Sequence, residues 1–284
     1  MKPASPWWRP LARRAVRLLA PDARNSLAIA LLLDGPDRPP RPVESFDERR
    51  VLVMAPHADD EVIGCGGAIC VHVRHGADVR IVIATDGAQG SRRLHEPGLS
   101  DGERASLRDE LVRQRRREAA QAAETLGARE PVFLDGPDGK LAPTASLVGR
   151  LCELLDGWRP DMVYLPFVMD QHHDHWQTNR LLAAALPHCG DWAASLQVRG
   201  YEVWAPLVAN RLVDISAVAA LKRAALRAYG SQLADRDYER AVTGLNHYRA
   251  LHLPDTALRE AEAFHQTSAR GFLTLMKAIE GRRA

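Results

Sequence analysis

The sequence predicts an α/β domain built on an open, buried sheet, and three observations carry that expectation. From residue 50 onward, apolar strand-like runs alternate with segments of helical composition. The first run, Arg50 to Ala55, ends at Pro56 and passes straight into His57, Ala58, Asp59, Asp60 and Glu61. A buried strand cannot carry that acid cluster, so the acids sit on the loop beyond the strand's carboxyl end. A later run, Met162 to Phe167, ends in the same way, in Asp170, Gln171, His172, His173, Asp174 and His175. Open α/β sheets bind ligands in the crevice outside such strand ends.

Length and composition set the frame. The chain has 284 residues, 46% of them hydrophobic and 26% charged, ordinary values for a water-soluble globular protein. A formal net charge of +2 implies no general affinity for nucleic acid. Cys65, Cys70, Cys152 and Cys189 show no paired spacing and read as reduced cysteines of a cytoplasmic protein. Residues 1–24 differ from the rest: Lys2, Arg9, Arg13, Arg14, Arg17 and Arg24 face Asp22 alone. The apolar run Ser26 to Leu33 is too short to span a bilayer. This segment, with Trp7 and Trp8, reads as a retained helix packed on the domain's flank, or as a weak peripheral contact of residues 1–33 with an anionic membrane surface. Proline-rich residues 34–49 read as a linker, so the expected division is 1–49 as a basic extension and linker, and 50–284 as the main domain.

Within the domain the elements come in order. Glu61 to His75 reads as a helix, with Val62, Ile63, Ile69 and Val73 apolar and Gly64, Gly66, Gly67 and Ala68 small enough for close approach to a sheet. Asp78 to Asp86 is a second strand, and the polar stretch to Leu99 is a loop suited to a lid. Glu103 to Leu126 is helical with Gly127 as its C-cap, and Pro131 to Leu134 is a short strand closed by Asp135 to Gly139. Helix Leu147 to Leu155, strand Met162 to Phe167, helix Leu181 to Leu186, strand Arg199 to Val208 and helix Ala217 to Tyr229 complete the alternation. Leu258 to Met276 reads as a closing helix.

The two acid and histidine clusters carry the chemistry. His57 and Asp60 offer a nitrogen and an oxygen ligand three residues apart, and His175 supplies a third, giving a two-histidine, one-carboxylate set for a divalent metal. Asp59 is placed to take a proton from water as a general base. His172 suits a group that stabilises or protonates what forms on the substrate, and Asp174 suits one that orients an imidazole from behind. The competing reading of the first cluster is helix capping. One acid caps adequately, and three with a histidine exceed that need.

Pro56-His57-Ala58-Asp59-Asp60-Glu61 resembles the Pro-His-Pro-Asp-Asp-Glu signature of the PIG-L/LmbE-like zinc de-N-acetylases. Thr85-Asp86-Gly87, Arg115 with Glu118, Pro137-Asp138-Gly139, His172-x-Asp174-His175, Ser231-Gln232 after Lys222, and Ala261 to Phe264 are similar to later motifs of that family in the same order. Ala58 stands where proline is usual, as does His173 in the second motif, and neither change removes a functional group. The resemblance implies a Rossmann-like three-layer α/β domain with a mostly parallel sheet. It implies Zn2+, or another divalent metal, on His57, Asp60 and His175, with Asp59 as base and His172 stabilising the oxyanion. Arg115 and Asp138 would contact the sugar, and the reaction would remove acetyl from an N-acetylated amino sugar or glycan. Hydrolysis of another bond, ester or phosphoester, and a non-catalytic sugar-binding role are the alternatives.

Overall fold

The computed structural model describes residues 39–254 and 259–283, together with Ala20 and Ala23. Two compact units divide the chain, Met1–Pro39 and Pro40–Ala284. The basic segment, Trp7, Trp8 and the run Ser26 to Leu33 lie outside the described residues. The second unit begins at Pro40, ahead of the expected boundary at residue 50. The reason lies in β1 (Arg41–Pro42), which pairs parallel with a later strand, and in Phe46, whose ring packs 5.1 Å from those of both His72 and His75.

Beyond β1 the chain forms β2 (Arg50–Ala55), α1 (Asp60–Arg74), β3 (Asp78–Thr85), α2 (Asp101–Leu126), β4 (Val132–Gly136), α3 (Ala145–Trp158), β5 (Met162–Pro166), α4 (His173–Ala185) and β6 (Gln197–Tyr201). It closes with β7 (Arg211–Asp214), α5 (Ala219–Arg227), α6 (Gly230–Leu233), α7 (Tyr238–Ala250), β8 (Ala261–Ser268) and α8 (Ala269–Arg283). The strands form one sheet in the order β1-β7-β8-β6-β5-β2-β3-β4, parallel throughout except that β8 runs antiparallel to both neighbours. The expected three-layer, mostly parallel α/β architecture is what the chain adopts. Residues alternate between its faces: Val51, Val53 and Ala55 of β2 pack with α1, α2 and α5, while Leu52 and Met54 pack with α3, α4 and α8.

The strand order explains where the two acid clusters meet. β3 lies on one side of β2 and β5 on the other, so successive connections run in opposite directions from β2. A crevice opens at that reversal, outside the carboxyl ends of β2 and β5. His57 lies just past β2 and His172 just past β5, so topology alone brings them together.

Several expectations need correcting. Leu258 to Met276 is not one helix: Ala261–Ser268 is strand β8, and the helix starts at Ala269. Alanine and glutamate favour a helix locally, but β8 fills the slot between β6 and β7, and pairing on both edges overrides propensity. The strand expected over Arg199 to Val208 is β6, ending at Tyr201, and residues beyond it are loop. The short β7 and helix α7 carried no sequence signal strong enough to be read. Helix α4 starts at His173, eight residues before Leu181, because His172 caps it with its ring.

Helix α1 is broken inside, at Cys65 (φ −148°, ψ 22°). A break frees backbone groups that a buried helix must satisfy. Glu262 of β8 accepts the Gly67 and Ala68 N–H groups, each at 2.8 Å, and Lys222 Nζ donates to Ile63 O at 3.0 Å. The two side chains pair with each other at 2.7 Å, each only 2% exposed. Glycine is required here by space: a Cβ on Gly64 would lie 2.1 Å from the Tyr201 ring, and one on Gly67 would lie 2.5 Å from Ile215. Lys222→Met keeps the volume but leaves Glu262 uncompensated and Ile63 O without a donor. It is expected to cost about 3–5 kcal/mol, read as a lowered urea midpoint; a cost under about 1 kcal/mol would show that the pair does not hold the break.

A second buried network backs the sheet. His72 Nε2 lies 2.9 Å from Tyr164 Oη, to which Arg199 Nη1 donates at 2.6 Å. Burial, then the nearby charges of Arg199 and His75, push the His72 imidazole down to about 3 from its ordinary 6.5. Between those values the unfolded chain binds a proton that the folded chain refuses, so this stability is intact above about pH 6.5 and declines as pH falls. His72→Gln is expected to flatten the pH dependence of unfolding free energy in that window. An unchanged slope in urea titrations would place the acid sensitivity elsewhere.

Candidate metal centre and cleft

Asp60 sits at the centre of the crevice. Its Oδ2 lies 3.0 Å from His57 Nδ1 and 3.2 Å from His175 Nε2, so one carboxylate oxygen faces both imidazoles. The remaining nitrogen of each ring faces another acid. His57 Nε2 lies 3.1 Å from Asp174 Oδ2 and 3.3 Å from Asp138 Oδ1, and His175 Nδ1 lies 3.2 Å from Asp170 Oδ2. One nitrogen toward the centre and the other toward a carboxylate is the arrangement that fixes tautomer and ring angle in metal-binding histidines.

Each acid is in turn held by backbone. Asp174 accepts from the Gly139 and Leu141 N–H groups at 2.7 and 3.0 Å, which ties the loop after β4 to α4. Asp170 accepts from the N–H groups of His172 (3.3 Å) and Trp204 (3.1 Å). Asp138 accepts from the Gln89 N–H at 2.8 Å and so anchors the loop after β3.

The charges respond to this crowding. Burial opposes protonation of His57, but Asp138, Asp174 and Asp60 outweigh it and raise the ring well above its ordinary value. Burial likewise works against His175, yet Asp60 and Asp170 lift it to about 9. Burial would raise Asp60, but His175 and His57 hold it well below the usual carboxylate range. The cluster is therefore built to hold positive charge, which a divalent cation between neutral imidazoles supplies equally well. Both ring nitrogens of His175 are buried and make no hydrogen bond of good geometry. Ligand atoms of His57, His172 and His175 lie within 4.8 Å of one another, as do those of His57, Asp138 and Asp174. A buried, nitrogen- and oxygen-bearing set of this kind fits a divalent metal.

Asp59 stands next to this cluster with a different environment. It caps α1 with a positive-φ backbone (φ 141°, ψ −30°), a conformation costly for a residue with a Cβ. The turn is held by its carbonyl, which accepts from Val62 and Ile63, and by its N–H, which donates to Glu61 at 3.1 Å. Tyr229 donates to the other oxygen of Glu61. Burial pushes the Asp59 carboxyl up to about 7, against the pull of Arg115, whose Nη2 lies 3.3 Å away.

Arg115 reaches the cleft from α2, but its guanidinium is engaged by the turn: Nη2 also donates to Ala58 O at 2.8 Å. A Cβ on Gly90 would lie 2.2 Å from Arg115 Nη1, so the loop after β3 is moulded on this side chain. His172 accepts the Asp174 N–H on Nδ1 at 3.2 Å, which in the neutral ring leaves its proton on Nε2. Burial and then the charges of His57 and His175 lower its pKa, favouring that neutral form.

Over these groups opens a cleft of about 350 Å³, the volume of a small-ligand site. His57, Asp59, Asp60, Arg115, Asp138 and His172 all line it. His175 and Asp174 sit behind them, fully buried. Asp170 escaped the sequence reading although it closes the strand that carries the second cluster. Gln232 in the cleft wall belongs to the Ser231-Gln232 motif, whereas Trp204, Arg236 and Tyr238 had no motif to mark them.

Fold and site together define an α/β domain with an imidazole and carboxylate centre at the reversal of its strand order. Residues 52–186 match the family model described as PIG-L: GlcNAc-PI de-N-acetylase. Over this segment the chain is similar to the PIG-L family. A 1D-myo-inositol 2-acetamido-2-deoxy-alpha-D-glucopyranoside deacetylase of Mycobacterium sp. (strain KMS) is 35% identical over 156 residues, 48% of this chain and 50% of that protein. The chain thus spans about half the length of that mycobacterial relative. The N,N'-diacetylchitobiose deacetylase from Pyrococcus horikoshii, complexed with its inhibitor MPG, superposes with a TM-score of 0.66 at 25% identity, covering 87% of this chain and 92% of that one. The 4-carboxy-2-hydroxymuconate hydratase GalB from Pseudomonas putida KT2440 shares the fold, with a TM-score of 0.64 at 23% identity over 77% of this chain and 96% of its own. No helix among the described residues is long and apolar enough to cross a membrane.

Asp170→Asn keeps the side-chain shape but removes the charge behind His175. Metal retention is expected to weaken about 10- to 100-fold, measured by chelator competition, with the fold intact by circular dichroism. His175→Ala is expected to lose the metal altogether, and full occupancy in that variant would overturn the ligand assignment.

Proposed function

We propose that the domain is a metal-dependent hydrolase that removes the acetyl group from an N-acetylated amino sugar, releasing acetate and a free amine. The observation that carries this reading is the separation of Asp59 from the imidazole cluster. Asp59 faces the same cleft, is raised to about 7, and is free of the contacts that tie Asp60 to two rings. A base with its pKa near neutrality beside a metal site is what amide hydrolysis requires. Relatives and a structural neighbour whose names describe deacetylation of acetamido sugars support the same chemistry. The hydratase that shares the fold shows why the fold alone cannot carry it.

In this reading His57, Asp60 and His175 would hold zinc, which would supply a Lewis acid for the amide carbonyl and lower the pKa of a water. Asp59 takes the proton from the attacking water, with its strained backbone and Arg115 fixing the direction of the carboxylate. His172 presents Nε2–H to the oxygen that gains negative charge at the carbonyl. The proton held on Asp59 then passes to the departing amine. Asp174 and Asp170 keep the two ligand rings aligned, and Asp138 ties the substrate loop to His57. Arg115 acts through Asp59, while its position in the cleft wall also brings it near a bound sugar.

Asp59→Asn preserves shape and removes the base. The catalytic constant on an N-acetylglucosaminide is expected to fall about 10²- to 10⁴-fold, with metal content near wild type by elemental analysis. Unchanged acetate release would place the base elsewhere, and loss of metal would make Asp59 a ligand.

A further inference from the structure

The residues that line the cleft divide into two chemical groups. The carboxylates around His57 and Asp59 form one. The other comes from the loop after β3 and from residues 204 and 232–238, and it includes Arg92, His95, Trp204, Arg236 and Tyr238. These two segments are tied together: Gln232 Nε2 donates to Gly90 O at 3.2 Å, and Asp235 accepts the Arg92 N–H at 3.2 Å. Asp235, which also lines the cleft, and Asp237 flank Arg236 in sequence, and each accepts a backbone N–H, from Arg92 and from Arg240. Neither the Arg92 nor the Arg236 guanidinium has a hydrogen bond or ion pair among the described residues. Arg236 instead lies 5.0 Å over the ring of Trp204, which meets Tyr238 edge-on at 6.2 Å. A cation held by an aromatic face is positioned without being neutralised. Trp204 itself is 43% exposed, an indole left in water at the wall of a polar cleft.

We infer that this wall selects an N-acetylated amino sugar carrying an anionic group, a phosphate or a carboxylate, with the sugar ring against Trp204 and the anion read by Arg92 and Arg236. The inference rests on the deacetylase reading of the same cleft. An anionic substrate must approach Asp59, Asp60, Asp138 and Asp235, whose field repels it, and the Arg92 and Arg236 guanidinium groups, which form no ion pair among the described residues, offset that repulsion. Guanidinium groups also match the planar or tetrahedral oxygens of such anions by paired N–H donation. A neutral glycoside gains from the aromatic wall but not from either arginine.

The test compares the metal-loaded full chain on N-acetylglucosamine 1-phosphate, N-acetylmuramic acid and the neutral methyl N-acetylglucosaminide, with acetate release and calorimetric binding as the two readouts. The kcat/KM of at least one anionic sugar is expected to exceed that of the neutral sugar about tenfold or more, chiefly through KM, and the advantage should shrink as salt rises. In the double variant Arg92→Gln/Arg236→Gln the ratio of anionic to neutral is expected to fall to about one, and Trp204→Ala should weaken both sugars together. A ratio near one in the wild type, or one kept by the double variant, overturns the inference. Calorimetric preference for the anion that the double variant abolishes, with no acetate from any sugar, would uphold the anion site and overturn the deacetylase reading instead.

Discussion

One carboxylate oxygen, Oδ2 of Asp60, lies between imidazoles delivered by two different strands. Everything near it can be understood as the consequence of burying that much charge. An isolated ion in this position would cost several kcal/mol, and the cost is met only because the groups compensate one another. Asp60, Asp138, Asp170 and Asp174 surround His57 and His175, and backbone N–H groups from four loops close on the outer acids. The same contacts weld the loops after β3, β4, β5 and β6 to one point. A charge balance thus doubles as the mechanical anchor of the cleft.

The anchor requires β2 to lead at once into a helix that lies close to the sheet, and α1 provides this at the expense of its own regularity. Its first turn presents Asp60 and Glu61, while Gly64 and Gly67 let Tyr201 and Ile215 approach where any Cβ would collide. The break at Cys65 comes next, and β8 and α5 supply Glu262 and Lys222 to complete the freed backbone groups. This explains why a strand late in the chain belongs in the middle of the sheet. Glu262 has to reach Gly67 from the sheet side, and an antiparallel strand beside β6 and β7 puts it there.

How much of this could be read from the residues depended on whether the information was local. His57, Asp59, Asp60, His172, Asp174 and His175 were legible because acids and imidazoles at the end of an apolar strand have little structural excuse. Gly127 was legible as a helix end, and the structure shows it at φ 77°. β8 was misread because its alanines and glutamates become a strand only when two neighbours offer edges. Asp170 looked like one more loop acid, and its contact with His175 Nδ1 exists only once α4 has turned back over β5. Trp204, Arg236 and Tyr238 obey the same logic. Each is an ordinary residue in sequence and meets the others across two connections.

The neighbours Asp59 and Asp60 show how far environment can separate identical side chains. Both are buried, and burial alone would raise both. Asp60 is drawn down by two imidazoles, whereas Asp59, turned aside by its positive φ, meets one guanidinium and the negative charge of Asp60 itself. A strained peptide costing about 1–3 kcal/mol is therefore what keeps the second carboxylate out of the imidazole cluster. Released to an ordinary helical φ, Asp59 would leave the position it holds beside Arg115. Glu61 accepts the Asp59 N–H and is itself held by Tyr229, so that buried pair keeps the strained turn in place. Two carboxyl groups pushed in opposite directions within one turn are the physical basis for proposing different tasks for them, Asp60 as a charge holder and Asp59 as a proton acceptor.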